Sequence, residues 1–229
     1  MFVFGSILSL FSLSLRLTLT ETPAFLNTTS RQPTSPIKTL FTRHRQKILK
    51  GIIIASLPAV GISTLYEMIN YSSSLGDKNN SYSVWVFTSV SLGAIVFGKI
   101  SDIIGRVALI RSSCVAFLLL PVSFNRLDTI HLYAAFIPLI LGTALISGCY
   151  TACLTELMPT NVRFTGIATC HNFAFAFFGG LTPLLLESLI QNNHASSLAF
   201  IPAIVAIPVF ITSFYWTDKY NLSLSDEKI

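Results

Sequence analysis

Charge is scarce in this chain: only 11% of its 229 residues are Asp, Glu, Lys or Arg, where soluble domains carry roughly 25%. That scarcity argues against a water-soluble enzyme, because 52% hydrophobic side chains exceed what a water-shielded core of this size hides. Carboxylates are the scarcer sign, 10 against 15 Lys and Arg, and the net charge is +5. The excess does not point to nucleic acid, since the basic residues lie between apolar blocks and do not alternate with aromatics. The four cysteines, Cys114, Cys149, Cys153 and Cys170, fall in apolar stretches without a C-x-x-C pair or metal-spaced histidines, so they are expected as buried small hydrophobes and no metal is expected. Cys149 and Cys153 stand at i and i+4, too far apart on a helix for a strain-free disulfide. H-E-x-x-H, G-x-S-x-G and paired intramembrane carboxylates are also missing, which speaks against an enzyme. No cofactor is expected.

What is present is apolar length. Blocks recur at about 51–70, 83–98, 107–124, 131–153, 166–190 and 197–216, each close to the roughly 20 residues that a bilayer core demands of a helix. The block at 83–98 is the weakest and needs Gly98 to Ile100 to continue the helix, with Lys99 snorkelling to the interface. The expected class is an all-α polytopic membrane protein whose nearest partner is membrane lipid. An apolar run at 2–15 has no basic residue ahead of it and no small-x-small cleavage pattern behind it, so it reads as the end of a transmembrane helix and not as a secretory signal. The organisation expected is a partial transmembrane helix at 1–20, a cytoplasmic linker with a basic run at 21–50, a six-helix bundle at 51–216 and a cytoplasmic tail at 217–229. The linker, rich in Thr, Ser and Pro from Glu21 to Thr39, is expected to be loose.

Orientation follows from alternate loops, because Lys and Arg are retained on the cytoplasmic side. One set of loops and ends holds 13 of the 15 basic residues, and the other only Lys78 and Arg126. The C-terminus is therefore expected inside.

Two turns on the basic side carry motifs. Gly98-Lys-Ile-Ser-Asp102-Ile-Ile-Gly105-Arg106 has the form G-x-x-x-D-x-x-G-R. Its glycines permit a tight turn and close helix contact, and its acid and base can hold helix ends together in one conformation and release them in another. Glu156-Leu-Met-Pro159-Thr160-Asn-Val-Arg163-Phe164-Thr165-Gly166 closes a later turn. There Pro159 stops one helix and Gly166 allows close packing at the start of the next. Glu156 and Arg163 are expected to face one aqueous vestibule.

Ionisable groups inside a membrane are costly enough to count as functional candidates. Glu67 is expected at the headgroup level near the end of its block, with proton carriage as the alternative. His171 is read either as a pathway residue or as a buried hydrogen-bonded one, with an unperturbed pKa of about 6.5. Tyr66, Tyr150 and Asn172 are further candidates for lining a cavity, although both tyrosines also suit an interfacial aromatic belt. Pro58, Gly61, Gly179 and Gly180 fall mid-span, where small residues let helices approach and proline frees a carbonyl. Phe173, Phe175, Phe177 and Phe178 are expected to pack or to face lipid.

The Glu156–Gly166 turn resembles the E-x-x-P-T-x-x-R-[YF]-[TS]-G turn of the metabolite:proton symporters in the major facilitator superfamily. Residues Leu15 to Phe25 resemble the L-R-x-x-L-x-E-T-P-x-F end of that family's sixth helix, and Asn172 to Pro183 resemble its eleventh. The G-x-x-x-D-x-x-G-R turn is similar to the loop signature found in both halves of the superfamily. Ile103 replaces a common basic residue, Val107 a common second arginine, and His171 a common tyrosine. The resemblance implies the C-terminal six-helix bundle of a major facilitator fold plus the end of the preceding helix. It further implies proton-coupled symport of a small zwitterionic or organic-acid metabolite such as proline or betaine, in a bacterial inner membrane. A separate N-terminal half is then the implied partner, with a non-transporting scaffold or an inactive remnant as the alternative.

Overall fold

A computed structural model describes residues 2–18, 35–74, 81–124, 131–192 and 195–216. The linker stretch from Glu21 to Thr34, the tail from 217, Lys78 and Arg126 lie outside the described residues. The described residues form helices and no strand: α1 (Phe2–Thr18), α2 (Pro36–Arg43), α3 (Arg45–Ser74), α4 (Ser81–Ile104), α5 (Arg106–Phe124), α6 (His131–Leu157), α7 (Arg163–Ala174), α8 (Gly180–Gln191) and α9 (Phe200–Phe214). A 3₁₀ turn, Thr160–Val162, leads into α7, and a π-helical segment, Phe175–Gly179, joins α7 to α8.

Six of these helical stretches are long and apolar enough to cross a membrane, α7 and α8 doing so together across residues 160–191. The chain is thus an all-α polytopic membrane protein, as its composition requires. The block at 83–98 gains its length as expected, because α4 runs on through Lys99 to Ile104. The third helix starts six residues before the apolar edge at 51, at Arg45, so Lys47 and Lys50 lie on its first turns.

Helix α6 is central and packs against α3, α4, α5 and α7, while α9 closes the bundle against α3 and α5. The main core joins Leu57 and Leu65 of α3, Ile110 and Phe117 of α5, Leu139 and Ile146 of α6, and Val209 of α9. A second cluster fills the end that carries the two turn motifs: Leu40 of α2, Ile48 and Ala55 of α3, Leu154 and Met158, Val162, and Cys170 and Ala174 of α7. All four cysteines are buried and free.

The short helix α2 is built by local signals. Ser35 caps it, its side chain accepting from the Lys38 amide, and Pro36 occupies the first turn where no donor is lost. At its other end His44 separates α2 from α3. Partial burial first, then Lys47 and Arg43, lower the pKa of His44 from its ordinary 6.5.

The α4–α6 crossing is set by small residues. A Cβ on Gly148 would lie 2.6 Å from the Ala94 carbonyl oxygen and 2.8 Å from the Gly98 nitrogen, so the two backbones touch. Close backbone approach of this kind is how helices associate where lipid removes any hydrophobic advantage.

Candidate functional site

Helix α4 ends at Gly105, whose φ of 103° is a left-handed conformation that side chains with a Cβ rarely adopt. Its amide donates to the Ser101 carbonyl, and the chain turns at once into α5. That reversal aims Arg106 back across the turn. Its Nη1 donates to Asp102 Oδ1 at 2.9 Å and to Ser101 Oγ at 3.3 Å, while its Nε donates to Glu156 Oε1 at the end of α6.

The two turn motifs are therefore one cluster. Glu156 is partnered by Arg106, and its side chain is only 8% exposed. The remaining oxygen, Oε2, is buried without a hydrogen-bond partner. Arg163 donates through Nε to the Met158 carbonyl at 3.2 Å, closing the Pro159–Thr160 bend. Gly166 seats the Met158 side chain, since a Cβ there would meet Met158 Sδ at 2.6 Å. Ile103 and Ile104, on the outside of the first turn, are exposed.

Sequence reasoning missed two further contacts at this end. Arg111 donates through Nε to Ser213 Oγ and through Nη2 to the Ser213 carbonyl, and lies 4.5 Å over the Phe214 ring. Lys50 Nζ donates to the Tyr215 carbonyl at 3.3 Å. Both cations satisfy carbonyls at the C-terminus of α9, where the helix dipole favours positive charge. The signal was available in the isolated Arg111 within an apolar block.

A second polar cluster lies deeper in the bundle. Tyr150 Oη and His171 Nδ1 are 3.3 Å apart, linking α6 to α7. Phe175 packs on His171 with ring centroids 4.3 Å apart and also reaches Tyr150. Both polar side chains are half-buried. Asn172, next to His171, is exposed. Phe173 and Phe177 are also exposed and stack on each other at 5.8 Å.

This cluster abuts the π-helical segment, at whose end a carbonyl is left without its usual helical donor. Pro183 has no amide hydrogen to give the Gly179 carbonyl four residues earlier, so that acceptor is left over. Ser63 of α3 donates to it at 3.0 Å. Ser63→Ala is expected to destabilise the bundle by about 1 kcal/mol, the net worth of a part-buried hydrogen bond. Thermal unfolding in detergent, compared with the exposed control Ser91→Ala, measures it.

Tyr66 is 55% exposed on α3. Glu67 is 9% exposed, with Asn70 hydrogen-bonded to it. It lies one helical turn beyond Ser63 on α3, and that four-residue spacing puts the two on one face of the helix. No hydrogen bond or ring contact joins Glu67 or Tyr66 to the Tyr150–His171 pair among the described residues. No group of side chains suited to holding a metal ion occurs among them either.

No protein-family profile matches the chain, and no solved structure is detectably similar. Curated relatives are found. The chain is 28% identical to the citrate-proton symporter of Salmonella typhi over 77% of its own length and 43% of that protein. It is 28% identical to the inner membrane metabolite transport protein YhjE of Escherichia coli, over 84% of this chain and 47% of that one. It is 25% identical to the proline/betaine transporter of Salmonella typhimurium, over 95% of this chain and 47% of that one. The matched region is the C-terminal part of each, and the chain spans about half the length of the curated relatives it matches. Its similarity is thus to metabolite:proton symporters of the major facilitator superfamily, which are transporters and not enzymes.

Proposed function

We propose that the chain serves as the C-terminal bundle of a proton-coupled secondary carrier for a small zwitterionic or organic-acid solute. It works against a second six-helix bundle, so that rocking of one on the other exposes a site between them alternately to each side. The motif end is cytoplasmic, with the C-terminus inside a bacterial inner membrane, as the 13 basic residues on that side favour.

The observation that carries this reading is the single cluster formed by Asp102, Arg106 and Glu156 across two inter-helix turns. An ion pair buried at the mouth of a bundle is a two-position device. It holds α4, α5 and α6 together while closed, and its exposed member, Asp102, is free to take another cation when the bundle tilts. Gly98, Gly105, Pro159, Arg163 and Gly166 shape the two turns around it. Within the membrane, Tyr150 and His171 form the candidate proton and solute pathway with Asn172 beside them. An imidazole whose Nδ1 is hydrogen-bonded to a phenol retains Nε2 for exchange with a second group. Tyr66 contributes from the exposed face of α3, and Glu67 is a buried carboxylate within reach of a protonation cycle.

The test is uptake by proteoliposomes under an inward proton gradient. The chain is co-reconstituted with the N-terminal bundle of a relative, and labelled proline, betaine and citrate are offered in turn. The pair is expected to accumulate one of them, the chain alone none, and His171→Phe is expected to lower uptake at least about tenfold, the scale of lost acid–base participation. No uptake by the pair, where the relative's own two halves transport, would overturn the proposal.

A further inference from the structure

We propose that α2 is a lipid-binding strap: it lies flat in the membrane interface at the motif end and binds anionic phospholipid headgroups. This goes beyond the carrier reading and does not depend on it.

The helix is short and two-faced. Leu40 is fully buried against the second core cluster, where it stands 3.4 Å from the position of a Cβ on Gly166. Ile37 and Phe41, one turn apart, are 62% and 54% exposed. At 100° per residue these three side chains span a continuous arc of about 100°. The arc is anchored at one edge to the protein and open at the other. Because α2 packs on the Thr160–Val162 turn and on the starts of α3 and α7, it sits at the ends of the membrane-spanning helices, the depth at which headgroups meet acyl chains. Water is a poor neighbour for Ile37 and Phe41 there, and acyl chains are a good one.

Charge selects the kind of lipid. Lys38 and Arg43 flank the apolar arc on either side, and Arg45, Lys47 and Lys50 follow directly on α3. No carboxylate occurs anywhere between Glu21 and Glu67. Both α2 cations are exposed, and neither has an acidic neighbour in its own segment. Lys50 is engaged at the Tyr215 carbonyl. The remaining four are available to phosphate groups, each strengthening surface binding about fivefold. A soluble acidic protein would satisfy the charge but leaves the apolar arc without acyl chains, so the lipid surface fits both features. The strap also touches the turn that bends at Pro159, since Leu40 and Met158 share one cluster with Val162. Lipid holding α2 in place therefore holds that turn.

An environment-sensitive fluorophore at Phe41→Cys on the full chain tests this. The four native thiols are buried, and the wild type measures any background labelling. The protein is placed in nanodiscs of phosphatidylcholine, with or without phosphatidylglycerol. With the anionic lipid, the probe is expected to emit from an apolar setting, to be quenched by spin-labelled acyl chains and to resist aqueous iodide. Combined Lys38→Gln and Arg43→Gln, or high salt, is expected to increase iodide access severalfold. Equal iodide access in both lipids, or protection without acyl-chain quenching, which would place a protein surface over Phe41, would each overturn the proposal.

Discussion

Replacing Arg106 with glutamine is expected to destabilise the bundle by about 3–5 kcal/mol, the cost of stripping one partner from a buried ion pair. The size follows from Glu156. Its carboxylate is 8% exposed, one oxygen is held by Arg106 and the other has no partner. Without the guanidinium it must stay charged in an apolar end of the bundle or take up a proton. Asp102 makes the contrast: its side chain is 65% exposed, and Asp102→Asn is expected to cost no more than about 1 kcal/mol, as for a solvent-screened pair. Arg106→Gln combined with Glu156→Gln should recover a large part of the loss, since two neutral amides replace an orphaned charge. Detergent-phase denaturation of the three variants measures the cycle. If Arg106→Gln proves no worse than Asp102→Asn, the buried half of the cluster is not what holds the turns.

Gly148→Val is the second large effect. At this position any Cβ runs into backbone, 2.6 Å from the Ala94 carbonyl oxygen, and backbone in a helix cannot rotate aside as a side chain does. Helices α4 and α6 must separate, so a cost at or above the upper end of about 1–3 kcal/mol for overpacking is expected. Gly180 supplies the control. Nothing lies within 4 Å of a Cβ built there, so Gly180→Ala is expected to be neutral or stabilising by up to about 1 kcal/mol. The same denaturation assay, with α4–α6 separation followed by a cross-linking pair, distinguishes the two. A Gly148→Val protein as stable as wild type would show that the crossing tolerates a wider spacing.

The motif turns show how far reasoning along the chain reaches. Gly105 was legible as a turn because a glycine before a charged residue at a helix end needs few assumptions, and its φ of 103° bears that out. Glu156 was legible as a functional residue, yet its partner was not: Arg163 is seven residues away and Arg106 fifty, and spacing along one turn says nothing about a helix arriving from elsewhere. His171 and Tyr150 were each legible as candidates, but only packing of α7 on α6 brings them within 3.3 Å. The burial of Glu67 was not legible from its place near the end of an apolar block, since only packing sets it.

Sequence alone determined that this chain lives in lipid, where its spans run and which turns carry charge, because those properties follow from side-chain solubility and the local rules of glycine and proline. Tertiary structure decided which charges meet, which carbonyl Ser63 rescues and what α2 packs against. Those outcomes depend on side chains far apart along the chain, and only the packing of helices sets the distances between them.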